Sequence, residues 1–169
     1  MTRLEELLEK DGKLVYTFKG VSMMPLLREY RDLIVIEKKT GGFNKLDVVL
    51  FKRPVCGGDA YVLHRILRIN DDGTYWIVGD NCVSGDTVRE DQILGVLTSV
   101  VRDGKTVPVT APLYRLYSNT WCRFYPVRIS LLRVRSLARR CVRRIVSGKL
   151  PIRSKRNRRH EAAGGEDHV

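Results

Sequence analysis

The sequence predicts a mainly β protein: a small antiparallel β-sheet or partial barrel, preceded by a short helix and followed by a basic amphipathic helix. Two observations support this fold class. Short runs of β-branched and aromatic residues alternate with turn residues over 1–110, and the apolar pattern then becomes helical. We therefore expect a β domain over 1–110, a helical extension over 111–147 and a disordered tail over 148–169.

The β domain begins with a charged segment over 2–10, in which Leu4, Leu7 and Leu8 share one side of a helix that Asp11 and Gly12 end. Six strand-like runs follow, separated by Gly, Pro, Asn and Asp. These runs span 14–18, 32–36, 47–51, 61–69, 75–78 and 95–101. Strands at this spacing are typical of a small antiparallel sheet.

The run over 61–69 determines the direction of its side chains. Strand residues alternate between faces, so His64 shares a face with Val62 and Ile66, while Arg65 lies on the opposite face. We expect His64 to project from a rigid strand.

The segment over 123–146 predicts one basic amphipathic helix. Its apolar residues step by three and four along the chain. They are Leu131, Val134, Ala138, Cys141 and Ile145. Arginines occupy the remaining faces: Arg128, Arg133, Arg135, Arg139, Arg140, Arg143 and Arg144.

The formal charge of +12 is confined to the C-terminal third. Residues 1–110 contain 16 Lys and Arg and 16 Asp and Glu, whereas 111–169 contain 15 and 3. A basic extension indicates an anionic partner, either acidic lipid or nucleic acid. We expect the helix over 123–146 to lie on an anionic membrane rather than on nucleic acid, with its apolar stripe buried in the bilayer. In the alternative, the stripe packs on the sheet and the arginines face solvent.

Cysteine spacing and hydropathy indicate the compartment. The four cysteines form no C-x-x-C pair, so we expect reduced thiols and neither a metal nor another cofactor. No apolar run is long enough for a spanning helix, and 1–10 lacks the apolar core of a signal peptide. These features predict a cytoplasmic or peripheral membrane protein.

The β domain contains a serine and the two kinds of side chain that can activate it. They are Ser22, His64 and an aspartate that is either Asp80 or Asp86. A serine hydroxyl needs a base to take its proton, and neutral imidazole does this near neutral pH when a carboxylate fixes its tautomer. Each residue also has a structural interpretation. Ser22 is then a helix cap, His64 a half-buried strand residue, and the aspartates turn formers.

The order of motifs resembles the type I signal peptidase family. The motifs are Gly20-Val21-Ser22-Met23-Met24-Pro25, the strand over 47–51, Val62-Leu63-His64-Arg65-Ile66, Gly79-Asp80-Asn81, and Ile93-Leu94-Gly95-Val96. Histidine rather than lysine at position 64 resembles the branch with endoplasmic-reticulum-type and archaeal members. The same peptidase fold occurs in LexA-type repressors.

The resemblance implies a serine endopeptidase that removes a signal peptide, leader peptide or other precursor segment after small residues. By the same resemblance, Ser22 is the nucleophile, His64 the general base and Asp86 the carboxylate that orients it. Asp80, in the Gly-Asp-Asn turn, and Met23, beside the nucleophile, support the site. The implied substrate is a peptide or precursor protein bound as an extended strand in a shallow apolar groove.

Two features depart from that family. Gly20 stands where members usually carry Ser or Thr, whose hydroxyl assists the oxyanion hole, and loss of one such donor costs about 3 kcal/mol. Members also have a transmembrane anchor before the Ser-Met motif, and the helix over 2–10 is too short to span.

Two alternatives remain open. One is a non-catalytic relative that binds peptides in the same groove. The other is a self-cleaving LexA-like repressor with a DNA-binding tail, although that type uses a lysine base and a helix-turn-helix, and neither is visible over 1–21.

Overall fold

The computed structural model describes residues 3–39 and 42–146. The tail predicted over 148–169 lies outside the described residues. The chain divides into two compact units, Met1–Arg135 and Ser136–Val169. The first unit contains a mainly antiparallel β-sheet with a helix before it and helices after it, which confirms the predicted fold class.

Within the described residues, eight strands form the sheet. They are β1 (Lys13–Thr17), β2 (Leu33–Lys38), β3 (Val48–Val55), β4 (Gly58–Ile69), β5 (Tyr75–Val78), β6 (Gly85–Val88), β7 (Ile93–Arg102) and β8 (Lys105–Pro108). Their order is β1-β2-β7-β3-β4-β5-β6, with β8 paired to β7 and every pair antiparallel. The sheet is therefore open, with β1 and β6 at the ends of this order.

The six predicted strands correspond to β1–β5 and β7. The sequence pattern did not indicate β6 and β8, each of which is four residues long. Both lack a run of apolar residues, because β6 buries only Val88 and β8 is exposed along its length.

Apolar side chains pack on both faces of the sheet. Along β3, Val48 and Leu50 belong to one buried cluster, whereas Val49 and Phe51 belong to another. Leu63 of β4 joins the first cluster and Ile66 joins the second. This alternation confirms the predicted two-sided strand and explains why β3 and β4 are rigid supports for polar residues between them.

The N-terminal helix α1 (Arg3–Asp11) packs on the sheet through Leu8. Leu7, expected on the same side, is instead exposed, and Glu5 is buried. Glu5 tolerates burial because it forms an ion pair with Lys52 and accepts a 3.0 Å hydrogen bond from the Tyr61 hydroxyl.

The C-terminal segment forms two helices, α2 (Pro112–Arg123) and α3 (Tyr125–Val146), where the sequence analysis expects one. Pro126 explains the break, because it lacks a backbone N–H and therefore cannot donate to the last turn of α2. Helix α2 packs against the sheet, where Ser118 is buried. The compact unit thus runs to Arg135, beyond the domain boundary expected at residue 110.

None of the helices in the described ranges is long and apolar enough to cross a membrane.

Candidate active site

Ser22 lies in a series of turns between β1 and β2. The N–H of Met24 donates to the carbonyl of Val21 at 3.2 Å, and the N–H of Leu27 donates to the carbonyl of Met23 at 3.0 Å. Met23 and Leu27 are fully buried and anchor this turn in the core. Residues 22–26 form turns and begin no helix, so the helix-cap interpretation does not account for Ser22.

The Gly79-Asp80-Asn81 segment holds the Ser22 turn in place. The backbone N–H of Asn81 donates to the carbonyl of Ser22 at 2.7 Å, and the Asn81 side-chain amide donates to the carbonyl of Val21 at 3.1 Å. A Cβ atom at Gly79 would lie 2.8 Å from the Ser22 carbonyl oxygen and 2.9 Å from His64 Nε2. Glycine is therefore needed at position 79, because the serine turn and the histidine ring meet there.

His64 projects from β4, opposite Val49 of β3, and is 6% exposed. Burial lowers the pKa of the imidazole below its usual 6.5; the Asp86 charge opposes this shift, the Arg53 charge adds to it and the Asp80 charge opposes it. The ring is therefore neutral at pH 7, the form that accepts a proton.

The two ring nitrogens of His64 face different groups. Nε2 lies beside Gly79 and the Ser22 turn, whereas Nδ1 is buried and has no hydrogen-bond partner within the described residues. The nearest carboxylate oxygen to Nδ1 is Oδ2 of Asp86, at 4.0 Å, which is within ion-pair range but too long for a hydrogen bond.

Asp86 projects from β6, where it pairs with Ile77 of β5. Its Oδ2 atom also accepts a 3.4 Å hydrogen bond from Nη1 of Arg53 on β3. One carboxylate oxygen thus faces both an arginine and the unpartnered nitrogen of His64.

Asp80 has a different environment from Asp86. It is buried and forms a bidentate ion pair with the fully buried Arg65, with nitrogen-to-oxygen distances of 2.9 and 2.8 Å. The Tyr117 hydroxyl donates to Oδ2 at 3.1 Å, and Trp121 Nε1 donates to the Asp80 carbonyl at 3.0 Å. These contacts place Asp80 in the support of the site rather than beside the reactive nitrogen.

Helix α2 completes this support from a distant part of the chain. Besides Tyr117 and Trp121, it supplies Ser118, whose hydroxyl accepts a 2.9 Å hydrogen bond from Arg65. Arg65 also donates a 3.0 Å hydrogen bond to the Leu46 carbonyl. Each nitrogen of the buried guanidinium therefore has a hydrogen-bond acceptor.

Ser22 and His64 line one cleft with a volume of about 540 Å³. Its other polar or charged lining residues are Lys19, Arg53 and Cys82. The remaining walls are apolar or aromatic: Leu4, Leu14, Tyr16, Phe18, Ile34, Ile36, Leu50, Tyr61, Val62 and Leu63. Asp86 lies behind the ring of His64 and is not part of the lining.

The described residues include no group of three or more His, Cys, Asp or Glu side chains that could hold a metal ion. All four cysteines are free. Burial raises the pKa of Cys82 in the cleft, so this thiol is protonated at neutral pH.

Ser22, His64, Asp86, Asp80 and Met23 lie in one region of the structure, and their catalytic and supporting roles stay predictions. The structure adds Arg53 and the α2 residues, which sequence reasoning missed because neither a motif nor a short spacing links them to His64. The only available signal was the apolar and aromatic content of α2, which indicates a packed helix.

No protein-family model matches this chain, and neither curated proteins nor solved structures give a match. Function must therefore be inferred from the chemistry of the cleft.

Proposed function

We propose that this chain is a serine endopeptidase of the signal-peptidase type, in which Ser22 is the nucleophile, His64 the general base and Asp86 the orienting carboxylate. One observation carries the proposal: the Ser22 turn and the Nε2 atom of a buried, neutral His64 meet at Gly79 in an apolar cleft. A serine beside a neutral imidazole in a partly dry site is the arrangement that acyl transfer requires.

His64 takes the serine proton through Nε2 when Nδ1 carries the other proton. The Asp86 carboxylate favours that tautomer and stabilises the cation formed during attack. The 4.0 Å separation of Nδ1 from Oδ2 shortens to a hydrogen bond once substrate closes the cleft, as is common for catalytic contacts in unliganded sites.

The negative charge on the reacting carbonyl oxygen is stabilised by backbone N–H groups of the Ser22 turn. Gly20 has no hydroxyl to contribute and a φ of +100°, a conformation that disfavours Ser or Thr there. The oxyanion hole therefore relies on main-chain donors alone.

The substrate is a peptide or precursor protein with an extended segment. The cleft runs beside β1, which lies at one end of the strand order, and strand addition lets main-chain hydrogen bonds hold a peptide of varied sequence. The apolar walls select uncharged side chains on either side of the scissile bond.

A fluorophosphonate probe tests the nucleophile directly. We expect the native chain to be labelled, Ser22→Ala to be unlabelled, and His64→Gln to be labelled at least about a hundredfold more slowly because no base activates the hydroxyl. Ser84→Ala is the matched control, since Ser84 is exposed and does not line the cleft.

Equal labelling of native protein and Ser22→Ala contradicts the proposal. A folded native chain that binds extended peptides but takes no label identifies the non-catalytic relative instead. Self-cleavage abolished by Ser22→Ala, without cleavage of added peptides, favours the LexA-like alternative.

A further inference from the structure

Helix α3 exposes several apolar side chains, three of them within the first compact unit. Val127, Leu131 and Val134, here called the α3 stripe, are 59%, 70% and 65% exposed, and they follow the four-and-three spacing of one helical face. Leu137 and Val142 are exposed further along the helix. Exposed Leu and Val residues that line up along one helical face are unusual for a free surface and indicate a binding face.

This exposure is informative because the opposite side of the helix is partly covered. Ile129 and Leu132 are only partly exposed, and the Arg128 guanidinium lies 5.2 Å from the ring of Trp121 on α2. Packing on the sheet therefore does not account for the exposure of Leu131 and Val134, the two residues of the α3 stripe that the sequence pattern also places on the apolar face.

The charges on the same helices specify the partner. The segment over 112–146 contains no Asp or Glu. Its part over 123–146 contains eight arginines, so the helix is strongly basic. On an α-helix, Arg135 lies beside the stripe, next to Val134 and one turn after Leu131, so its side chain reaches past the stripe toward anionic groups. An apolar stripe on a helix that is otherwise rich in arginine fits the boundary between lipid chains and phosphate head groups.

Two other partners explain only part of this pattern. Nucleic acid accounts for the arginines but leaves Leu131 and Val134 exposed against charged phosphates. A second copy of the chain covers the apolar stripe but places two rows of arginines close together. A bilayer with anionic lipid satisfies both features.

We propose that the α3 stripe and its flanking arginines bind the surface of an anionic lipid bilayer, with the helix lying in the plane of the interface. This inference is independent of the proposed peptidase activity, since lipid binding requires neither Ser22 nor His64.

The test is co-sedimentation of the full chain with vesicles of phosphatidylcholine and phosphatidylserine, compared with vesicles of phosphatidylcholine alone. Point variants are preferable to a chain ending at residue 110, because α2 covers the buried Arg65 and Asp80. One variant, Leu131→Asn with Val134→Asn, removes apolar area and keeps every charge. The other, Arg135→Gln with Arg139→Gln, removes two charges and keeps the stripe.

Matched controls carry the same kinds of change elsewhere. Val55→Asn with Ile69→Asn alters two exposed apolar residues, and Lys10→Gln with Lys105→Gln removes two exposed charges. Circular dichroism checks that all the variants fold.

We expect the native chain and both controls to bind the mixed vesicles, and each α3 variant to bind at least about tenfold more weakly. We also expect little binding to pure phosphatidylcholine, and release from the mixed vesicles at high salt.

Three results overturn the proposal. They are native affinity in the folded Leu131→Asn, Val134→Asn variant, equal binding to neutral vesicles, and preference for nucleic acid over the mixed vesicles. A dimer in solution that the Leu131→Asn, Val134→Asn variant dissociates, together with no vesicle binding, assigns the stripe to a second copy instead.

Discussion

The Oδ2 atom of Asp86 faces two nitrogen atoms. Nη1 of Arg53 lies 3.4 Å from it, and Nδ1 of His64 lies 4.0 Å from it. Arg53 is also a cation near the ring, and its charge lowers the pKa of His64, whereas the Asp86 charge raises it. In the proposed mechanism, Arg53 therefore moderates the effect of Asp86 on His64.

In the native chain, activity should persist into mildly acidic solution. Burial holds the pKa of His64 below 6.5, and catalysis needs the neutral ring. As pH falls, kcat/KM therefore decreases with a midpoint below 6.5. A midpoint above 6.5 in the measured pH profile contradicts the assignment of a buried His64 as the base.

Arg53→Gln should move that midpoint to higher pH. The substitution removes a cation that lowers the pKa of His64 and frees Asp86, whose charge raises it. Asp86→Asn should move the midpoint to lower pH and reduce kcat at least about a hundredfold, because the tautomer is no longer fixed. Arg89→Gln is the control, since Arg89 pairs with Asp91 in an exposed ion pair. Identical midpoints in all the variants would show that Asp86 and Arg53 do not act on the titrating group.

At the level of elements, α2 links the two halves of the site. Tyr117 and Trp121 hold Asp80, whose side chain pairs with Arg65 beside His64, and whose neighbour Asn81 binds the Ser22 carbonyl. A shift of Asp80 would therefore reach both His64 and the Ser22 turn, the proposed base and nucleophile.

Tyr117→Phe tests this role with little change of shape. The variant loses one hydrogen bond to the buried Asp80 carboxylate, which costs about 1–3 kcal/mol of unfolding free energy. We expect kcat to fall by about tenfold with KM unchanged, because the reacting groups are misplaced while the cleft walls remain.

The matched control is Tyr75→Phe. Tyr75 is buried, whereas Tyr117 is half-buried, and the Tyr75 hydroxyl likewise donates to a carboxylate, that of Glu90, at 3.2 Å. Neither Tyr75 nor Glu90 lines the cleft. The control variant should lose similar stability and keep native kcat. If both variants retain native kcat, Asp80 supports folding but does not position the reacting groups.

The sequence predicted the elements better than their connections. Periodicity located β1–β5 and β7, because their residues are buried and β-branched, but β6 is four residues long with a single buried position. Asp86 lies on that strand. The sequence therefore named Asp86 by resemblance without indicating that β6 carries it to the ring of His64.

The support of the site was not predictable for a related reason. Arg65 and Asp80 are charged residues with near-zero exposure, and their partners on α2 are 37 to 53 positions away in sequence. Contacts of that separation depend on the packing of α2 against the sheet, which local patterns do not encode. The expectation that Asp80 supports the site came from the family resemblance, and in the structure its carboxylate pairs with Arg65.

Over the whole molecule, charge separates two roles. Residues 1–110 are balanced, with 16 basic and 16 acidic side chains, while 111–169 carry the net charge of +12. In the two proposals, the cleft of the neutral sheet binds an uncharged peptide segment, and the basic helix brings the chain to an anionic surface. If both proposals hold, membrane binding raises the local concentration of substrate without altering the chemistry of the site.

This separation predicts different behaviour toward two forms of one substrate. On a free peptide, Leu131→Asn with Val134→Asn should keep the native kcat/KM, because neither residue lines the cleft. On the same peptide tethered to vesicles containing phosphatidylserine, the native chain should gain at least about tenfold in rate through effective concentration, and the variant should lose that gain. High salt should reduce the native rate on the tethered peptide only. An equal loss on free and tethered peptide would place the effect of the α3 stripe in the active site rather than at the membrane.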